Sequence, residues 1–222
     1  MGATGIAELI GPLNPTEKQY APAQVWVRGD RSLLSRHPRV AVVGTRHPSE
    51  AGARRTVRLV RELVAKGVTI VSGLAQGVDT IAHTETIARG GRTIAVLGTP
   101  LDQVFPKSNE RLQQKIADEH LVISEFAPGT TVSKGNFPRR NRTMALIADA
   151  SVIVEAGEGS GTLSQGWETL RLGRPLLLLK SLVDGPLEWP RKMIEHGALV
   201  LHDTNDVLRI LPTDEIREAV AF

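Results

Sequence analysis

Short β-branched runs, several closing on a glycine, alternate with segments of helical periodicity, and this alternation constrains the chain more than any other feature. The strand-like runs are 39–43, 68–72, 93–97, 121–124, 151–155 and 175–179, with a weaker one at 199–202 and a short one at 24–28. Between the first two, Ala53, Val57, Val60 and Val64 recur at helical spacing, and Gly67 ends that helix. Further helices fit 78–88, 109–119, 140–148 and 163–172. Strands that alternate with helices pair in parallel, with helices on both faces of one sheet. Gly44, Gly73 and Gly98 then fall at the carboxyl edge of that sheet, where open α/β folds bind ligands. The expected architecture is one doubly wound α/β domain over 24–212, preceded by a proline-bearing extension (1–23) and followed by a tail (213–222).

Composition narrows the function classes. With 41% apolar and 23% charged residues in 222, the chain is globular rather than disordered. It contains no cysteine, which excludes a disulfide scaffold, a thiol nucleophile and thiolate metal centres. The six histidines show no metal-binding spacing, so neither a metal nor another cofactor is expected. No apolar run is long enough to span a bilayer, and residues 1–15 lack the pattern of a secretory signal, so a cytoplasmic location is expected.

The net charge of +3 averages two unlike parts. Residues 1–142 hold 20 basic and 12 acidic side chains, a balance of +8, whereas 143–222 hold 7 and 12, a balance of −5. No acid lies between Glu125 and Asp149, although Lys134, Arg139, Arg140 and Arg142 do. Such asymmetry fits either a polyanion-facing side or an ordinary solvated surface.

Four segments carry candidate chemistry. In 40–52 a strand ends at Gly44, and Thr45 and Arg46 lead into a helix starting near Pro48 or Ser49. Backbone amides and a guanidinium fork there suit an anion. In 71–83 the same pattern returns with Ser72 and Gly73. Asp79 and His83 lie on one helix face, where Asp79 complements the helix dipole and His83 is expected to hydrogen-bond it. In 133–145 Phe137 sits in a cationic loop, either stacking on a base or plugging the core, while Asn141 offers both donor and acceptor. In 154–175 Gly161 and Thr162 suit a phosphate at a helix start. A stripe of Arg54, Arg58 and Arg61 either extends a polyanion path or faces solvent.

Taken in order, WVRGD (26–30), VAVVGTR (40–46), VSGLAQGVD (71–79), TIAVLGTPLDQVFPKSN (93–109), ISEF.PGT (123–130) and NFPRRNR (136–142) resemble the DNA-processing protein A family. The resemblance runs from about Tyr20 to Leu211. It implies an extended Rossmann-like, three-layer α/β/α fold with a mainly parallel sheet. It also implies a non-enzymatic protein that binds and protects single-stranded DNA, loads a RecA-type recombinase and acts as a homodimer. By motif, Arg46 matches a residue on the DNA backbone, and Ser72 and Gly73 match a turn whose amides face phosphate. Lys134 and Phe137 match a basic residue beside a stacking aromatic. Arg140, Asn141 and Arg142 match the RNR triplet, with Arg139 at a variable position.

Nucleotide-sensing proteins and phosphoribohydrolases of the lysine-decarboxylase-like type belong to the same fold superfamily. Aligning their GGxGTxxE motif on 158–165 puts Gln165 where the catalytic glutamate belongs, and glutamine cannot serve as a base. Glu168 is the one nearby substitute.

Overall fold

The computed structural model describes residues 2–211. In chain order the elements are β1 (Ala3–Thr4), α1 (Ile6–Ile10), α2 (Pro15–Tyr20), β2 (Val25–Gly29), β3 (Arg39–Val43), α3 (Glu50–Ala65), β4 (Thr69–Ser72), α4 (Val78–Ala88), β5 (Thr93–Leu97), α5 (Glu110–Glu119) and β6 (Leu121–Ser124). They continue with α6 (Asn136–Ile147), β7 (Ala150–Ile153), α7 (Thr162–Arg171), β8 (Leu176–Leu179), α8 (Lys180–Val183), α9 (Trp189–Glu195), β9 (Leu199–Leu201) and α10 (Thr204–Ile210). The nine strands form one sheet in the order β1-β2-β6-β5-β4-β3-β7-β8-β9. Strands β3 to β9 pair in parallel, while β1 and β2 run antiparallel at one edge.

Both faces of the sheet are covered, which is why its strands read as nearly unbroken apolar runs. Along β3, Ala41 and Val43 point into a core under α6, α7 and α9, and Val40 and Val42 into a second core under α3 and α4. Ile94 and Val96 of β5 join the first core, while Ala95 and Leu97 meet α5 in a third. The chain fills the sheet outward from β3 in one direction through β6. It then returns to β7 on the other side of β3 and continues to β9. This reversal is the topological switch point, where the two halves diverge and leave a crevice at the carboxyl ends of the strands.

The fold is the extended Rossmann-like α/β/α arrangement. The segment before residue 24 packs on the sheet: β1 pairs with β2, Ile6 is buried, and Leu9, Ile10, Leu13 and Tyr20 pack against the first core. Asn14 and Glu17 close a capping box on α2, and the Glu17 carboxylate also receives Arg174. Helix α6 starts at Asn136 rather than near Arg140. Pro138 is tolerated because first-turn amides have no partner within the helix. The expected tail at 213–222 lies outside the described residues.

Candidate nucleic-acid interface

A cleft of about 370 Å³ opens at the switch point. Gly44, Thr45 and Arg46 leave β3 on one side, Phe137, Arg140 and Asn141 of α6 face them, and Gly161 and Thr162 close it from the loop before α7. A smaller recess beside it is lined by Arg46, Gly73, Gly98, Phe105 and Phe137. The structure thus brings together all four sequence segments, that of 71–83 through Ala75 and Asp79 in the cleft and Gly73 in the recess. Ser72, Lys134, Arg139 and Arg142 line neither cavity.

The turn after β3 is rigid. A Cβ on Gly44 would stand 2.6 Å from Val78 Cγ2 and 2.9 Å from the Glu155 carbonyl oxygen, so no side chain fits there. Thr45 N–H donates to that carbonyl at 2.6 Å, and Thr162 Oγ1 donates to the Gly44 carbonyl at 3.0 Å. Ser49 caps α3 through Gly52 N–H and donates its own N–H and hydroxyl to the Glu155 carboxylate at 2.8 and 2.7 Å. Arg46 stands on this fixed turn with no hydrogen bond or ion pair among the described residues, leaving its guanidinium available to a ligand.

The turn after β4 differs from the sequence expectation. Ser72 is fully buried and donates its hydroxyl to the Val42 carbonyl at 2.7 Å, so it is no phosphate ligand in this arrangement. The amides of Gly73 and Ala75 donate to Asp79 Oδ2 at 3.2 and 3.3 Å. An internal carboxylate therefore occupies the position expected for a phosphate. Leu74, between them, has a φ of 57°, rare for a non-glycine residue, and Asn109 Nδ2 holds its carbonyl at 3.0 Å. His83 bonds Thr93 Oγ1 at 2.7 Å instead of Asp79. Because that hydroxyl donates to the Ile70 carbonyl, the imidazole is the donor.

The basic segment 134–142 is the end of a loop and the first turns of α6, and its arginines are internally engaged. Arg140 is buried, with Nη1 donating to the carbonyls of Val96 (2.8 Å) and Gly73 and Nε to Asn141 Oδ1 at 3.0 Å. Asn141 in turn donates to the Gly161 carbonyl at 3.2 Å, tying α6 to the α7 loop. Arg139 pairs with Glu125 at 2.9 Å, and its guanidinium lies 5.1 Å from the Phe126 ring centre. Arg142 pairs with Glu168 at 3.1 Å and lies 5.4 Å from the ring centre of Tyr20. Lys134 is exposed at the loop. The acids that neutralise this segment arrive from elsewhere in the fold, which a linear charge count does not show.

Phe137 both packs and remains accessible. It is half-buried against Gly98, where a Cβ would stand 2.6 Å from Phe137 Cδ1. Its open side meets Phe105, 51% exposed, with ring centres 5.5 Å apart and planes tilted by 52°. Phe105 was not singled out from sequence. The signal available was an aromatic–proline pair just after a glycine-ended strand.

The electrostatics of the cleft are mixed. Arg46 and Arg140 bring positive charge, while Asp79 and Glu158 bring negative charge. Burial pushes the Asp79 carboxyl above the usual carboxylate range, opposed by the Arg140 charge and the two turn amides. Burial also lowers the Arg140 guanidinium, opposed by Asp79. No group of three or more His, Asp or Glu side chains suited to a metal ion occurs among the described residues, and no described helix is long and apolar enough to cross a membrane.

The model of the family described as DNA recombination-mediator protein A matches residues 12–212. The chain belongs to that family. It is 38% identical over 198 residues to the DNA processing protein DprA of Streptococcus pneumoniae, covering 89% of this chain and 70% of the relative. The Bacillus subtilis DprA is 33% identical, with coverage of 90% and 68%. Against the Smf protein of Escherichia coli, also 33% identical, the chain spans only 51% of the relative's length. Among solved structures, the S. pneumoniae DprA superposes with a TM-score of 0.83 at 35% identity, covering 96% of this chain and 75% of that one. The Helicobacter pylori DNA processing protein A, whose structure concerns its single-stranded DNA binding mode, gives 0.79 at 27% identity, with coverage of 95% and 97%. A molybdenum cofactor binding protein from Rippkaea orientalis, at 17% identity and a TM-score of 0.56, shares the fold alone.

Proposed function

We propose that this family member binds single-stranded DNA in the switch-point cleft as part of DNA processing in transformation or recombination. One observation carries the reading: the unpaired Arg46 guanidinium and the accessible Phe105–Phe137 ring pair border the same recess over glycine backbone. A cation takes phosphate and an aromatic face takes a base of any sequence. Family membership and the H. pylori relative's single-strand binding support it. A homodimer and the loading of a RecA-type recombinase accompany this reading. Sedimentation analysis tests the first, and strand exchange with a coated oligonucleotide tests the second.

The hydrolase reading loses its residues. Gln165 lines the cleft but is buried, with Nε2 donating to Ser151 Oγ at 3.2 Å. Glu168, the substitute, pairs with Arg142 and Arg171 away from the cleft. We therefore read the chain as a binding protein rather than an enzyme.

The deciding experiment is polarisation titration with oligo-dT, duplex DNA and free nucleotide across salt. With four or five phosphates neutralised, log K against log salt should fall with a slope of about −3. Equal affinity for duplex and single strand overturns the reading. Ribose release from a nucleoside monophosphate restores the hydrolase.

A further inference from the structure

The arginines of this chain divide sharply by partner. Those of α6 are spent inside the fold, and Arg28, Arg54, Arg89, Arg171, Arg174 and Arg209 pair with carboxylates. Along the continuous stretch from the β3 turn through α3, by contrast, Arg46, Arg55, Arg58 and Arg61 make no hydrogen bond or ion pair among the described residues. Of the eight arginines without such a partner among the described residues, these four fall within sixteen consecutive positions that begin at the cleft, whereas Arg31, Arg36, Arg111 and Arg191 are scattered over the chain.

Two of these four face a second cavity. A groove of about 320 Å³ lies between α3 and the segments that follow β8 and β9. Its floor is apolar, from Leu59, Leu179 and Leu201, and Arg55 and Arg58 stand on its wall. Glu62 and Asp203 also line the groove and keep their charge, but neither forms an ion pair with Arg55 or Arg58. Glu62 accepts the Thr204 hydroxyl, Asp203 caps α10, and Asp184 pairs with Lys180 at 2.6 Å. An apolar floor beside two guanidinium forks that hold no direct ion pair among the described residues matches a base with its phosphates. β8 and β9 run parallel to β3 and β7, so the groove opens toward the same carboxyl edge of the sheet as the cleft. From Ser49, which caps α3 at the cleft, to Arg58 the helix rises about 14 Å.

We propose that this groove is a second nucleotide site, holding the continuation of the same DNA strand after it leaves Arg46. Phosphates rest on Arg55 and Arg58, and a base lies over Leu59, Leu179 and Leu201. The proposal rests on the single-strand reading of the cleft and adds a length requirement that the cleft alone does not impose. Of the expected stripe of Arg54, Arg58 and Arg61, only Arg58 faces this groove, and Arg55 joins it.

The test compares wild type with R55Q/R58Q on oligo-dT of about 4 and about 16 nucleotides, the span of site sizes common for single-strand grooves. Both substitutions are on exposed surface, and circular dichroism and the melting profile check that the fold is intact. The short oligonucleotide should bind both proteins equally. The long one should bind the variant about tenfold more weakly, with a salt slope shallower by about 1.4, the share of two phosphates. Unchanged affinity for the long oligonucleotide overturns the groove and leaves the cleft standing. Equal loss at both lengths also overturns it, because the arginines would then act on the cleft. If neither length binds wild type, the cleft reading fails and the groove falls with it. A thermal shift of wild type by thymidine monophosphate, lost in R55Q/R58Q, would reassign the groove to a free nucleotide.

Discussion

The ring of Phe105 lies 5.5 Å from that of Phe137, tilted by 52°, although the two come from different connections of the sheet. Phe137 rests on the backbone of Gly98, and Phe105 stands exposed beside it. Together they form an aromatic corner with room for a base on the exposed face of Phe105. Replacing either by alanine should weaken oligo-dT binding by about 1–3 kcal/mol, read by polarisation titration. A loss from F137A with none from F105A would show that one ring alone stacks.

Arg46 should act on every sequence alike. R46A is expected to lower affinity for oligo-dT, oligo-dC and mixed strands by the same factor, and to make the salt slope shallower by about 0.7. Stability in urea should stay within about 0.5 kcal/mol of wild type, since the side chain holds nothing in the fold. A sequence-dependent loss would mean that Arg46 reads bases.

The three α6 arginines should separate by role. R140M leaves the buried Asp79 facing no charge and strips the Val96 and Gly73 carbonyls of their donor, so unfolding should become easier by about 3–5 kcal/mol. R139Q and R142Q take one partner from the largely buried Glu125 and Glu168 carboxylates, of which Glu168 keeps Arg171, and should cost about 1–3 kcal/mol while leaving DNA affinity within about twofold. Urea titration measures the first effect and polarisation the second. Strong loss of binding in R142Q with unchanged stability would place that residue on the strand.

His83 should make the fold acid-sensitive. Burial pushes its imidazole down to about 3 from 6.5, so between those values the unfolded chain binds a proton that the folded chain refuses. Stability from this residue is complete above pH 6.5 and falls with acidification through that window, by up to about 1.4 kcal/mol per pH unit. The buried Asp79 and Asp149, whose carboxyls are pushed up by burial, give the opposite slope from about pH 4 upward. Comparison with H83Q isolates the histidine: between pH 5.5 and 4.5, the variant's melting temperature should change less steeply than that of wild type. Parallel profiles would show that His83 does not set the acid limit.

The sheet was legible because its central strands are buried on both faces and so read as continuous apolar runs, with glycine marking where β3 and β5 end. The cleft was legible for a related reason. Gly44, Arg46, Phe137, Asn141 and Thr162 follow from strand ends and helix starts, and the topology brings those to one edge. Pairing across the fold was not legible. Glu125 and Glu168 neutralise Arg139 and Arg142 from other elements, and Asp79 claims the amides of the Gly73 turn. Nothing in the order of residues announces these contacts, because each depends on the closed structure. Phe105 was missed because a lone aromatic in a turn carries no periodicity. The short helices α8 and α9 offer too few turns for a helical repeat to emerge, although the Asp203–Asp206 capping box before α10 was there to be read.

Asp79 changes what the arrival of DNA requires of the protein. Its carboxylate already satisfies the amides of Gly73 and Ala75, and Asn109 already fixes Leu74 in its rare conformation. The turn is therefore finished before any strand comes. At this turn no amide of Gly73 or Ala75 has to be stripped of water, so in the proposed binding mode the free energy of contact at Arg46 and the two rings is not drained into shaping it. Such a protein can capture and release a strand repeatedly without refolding its own edge.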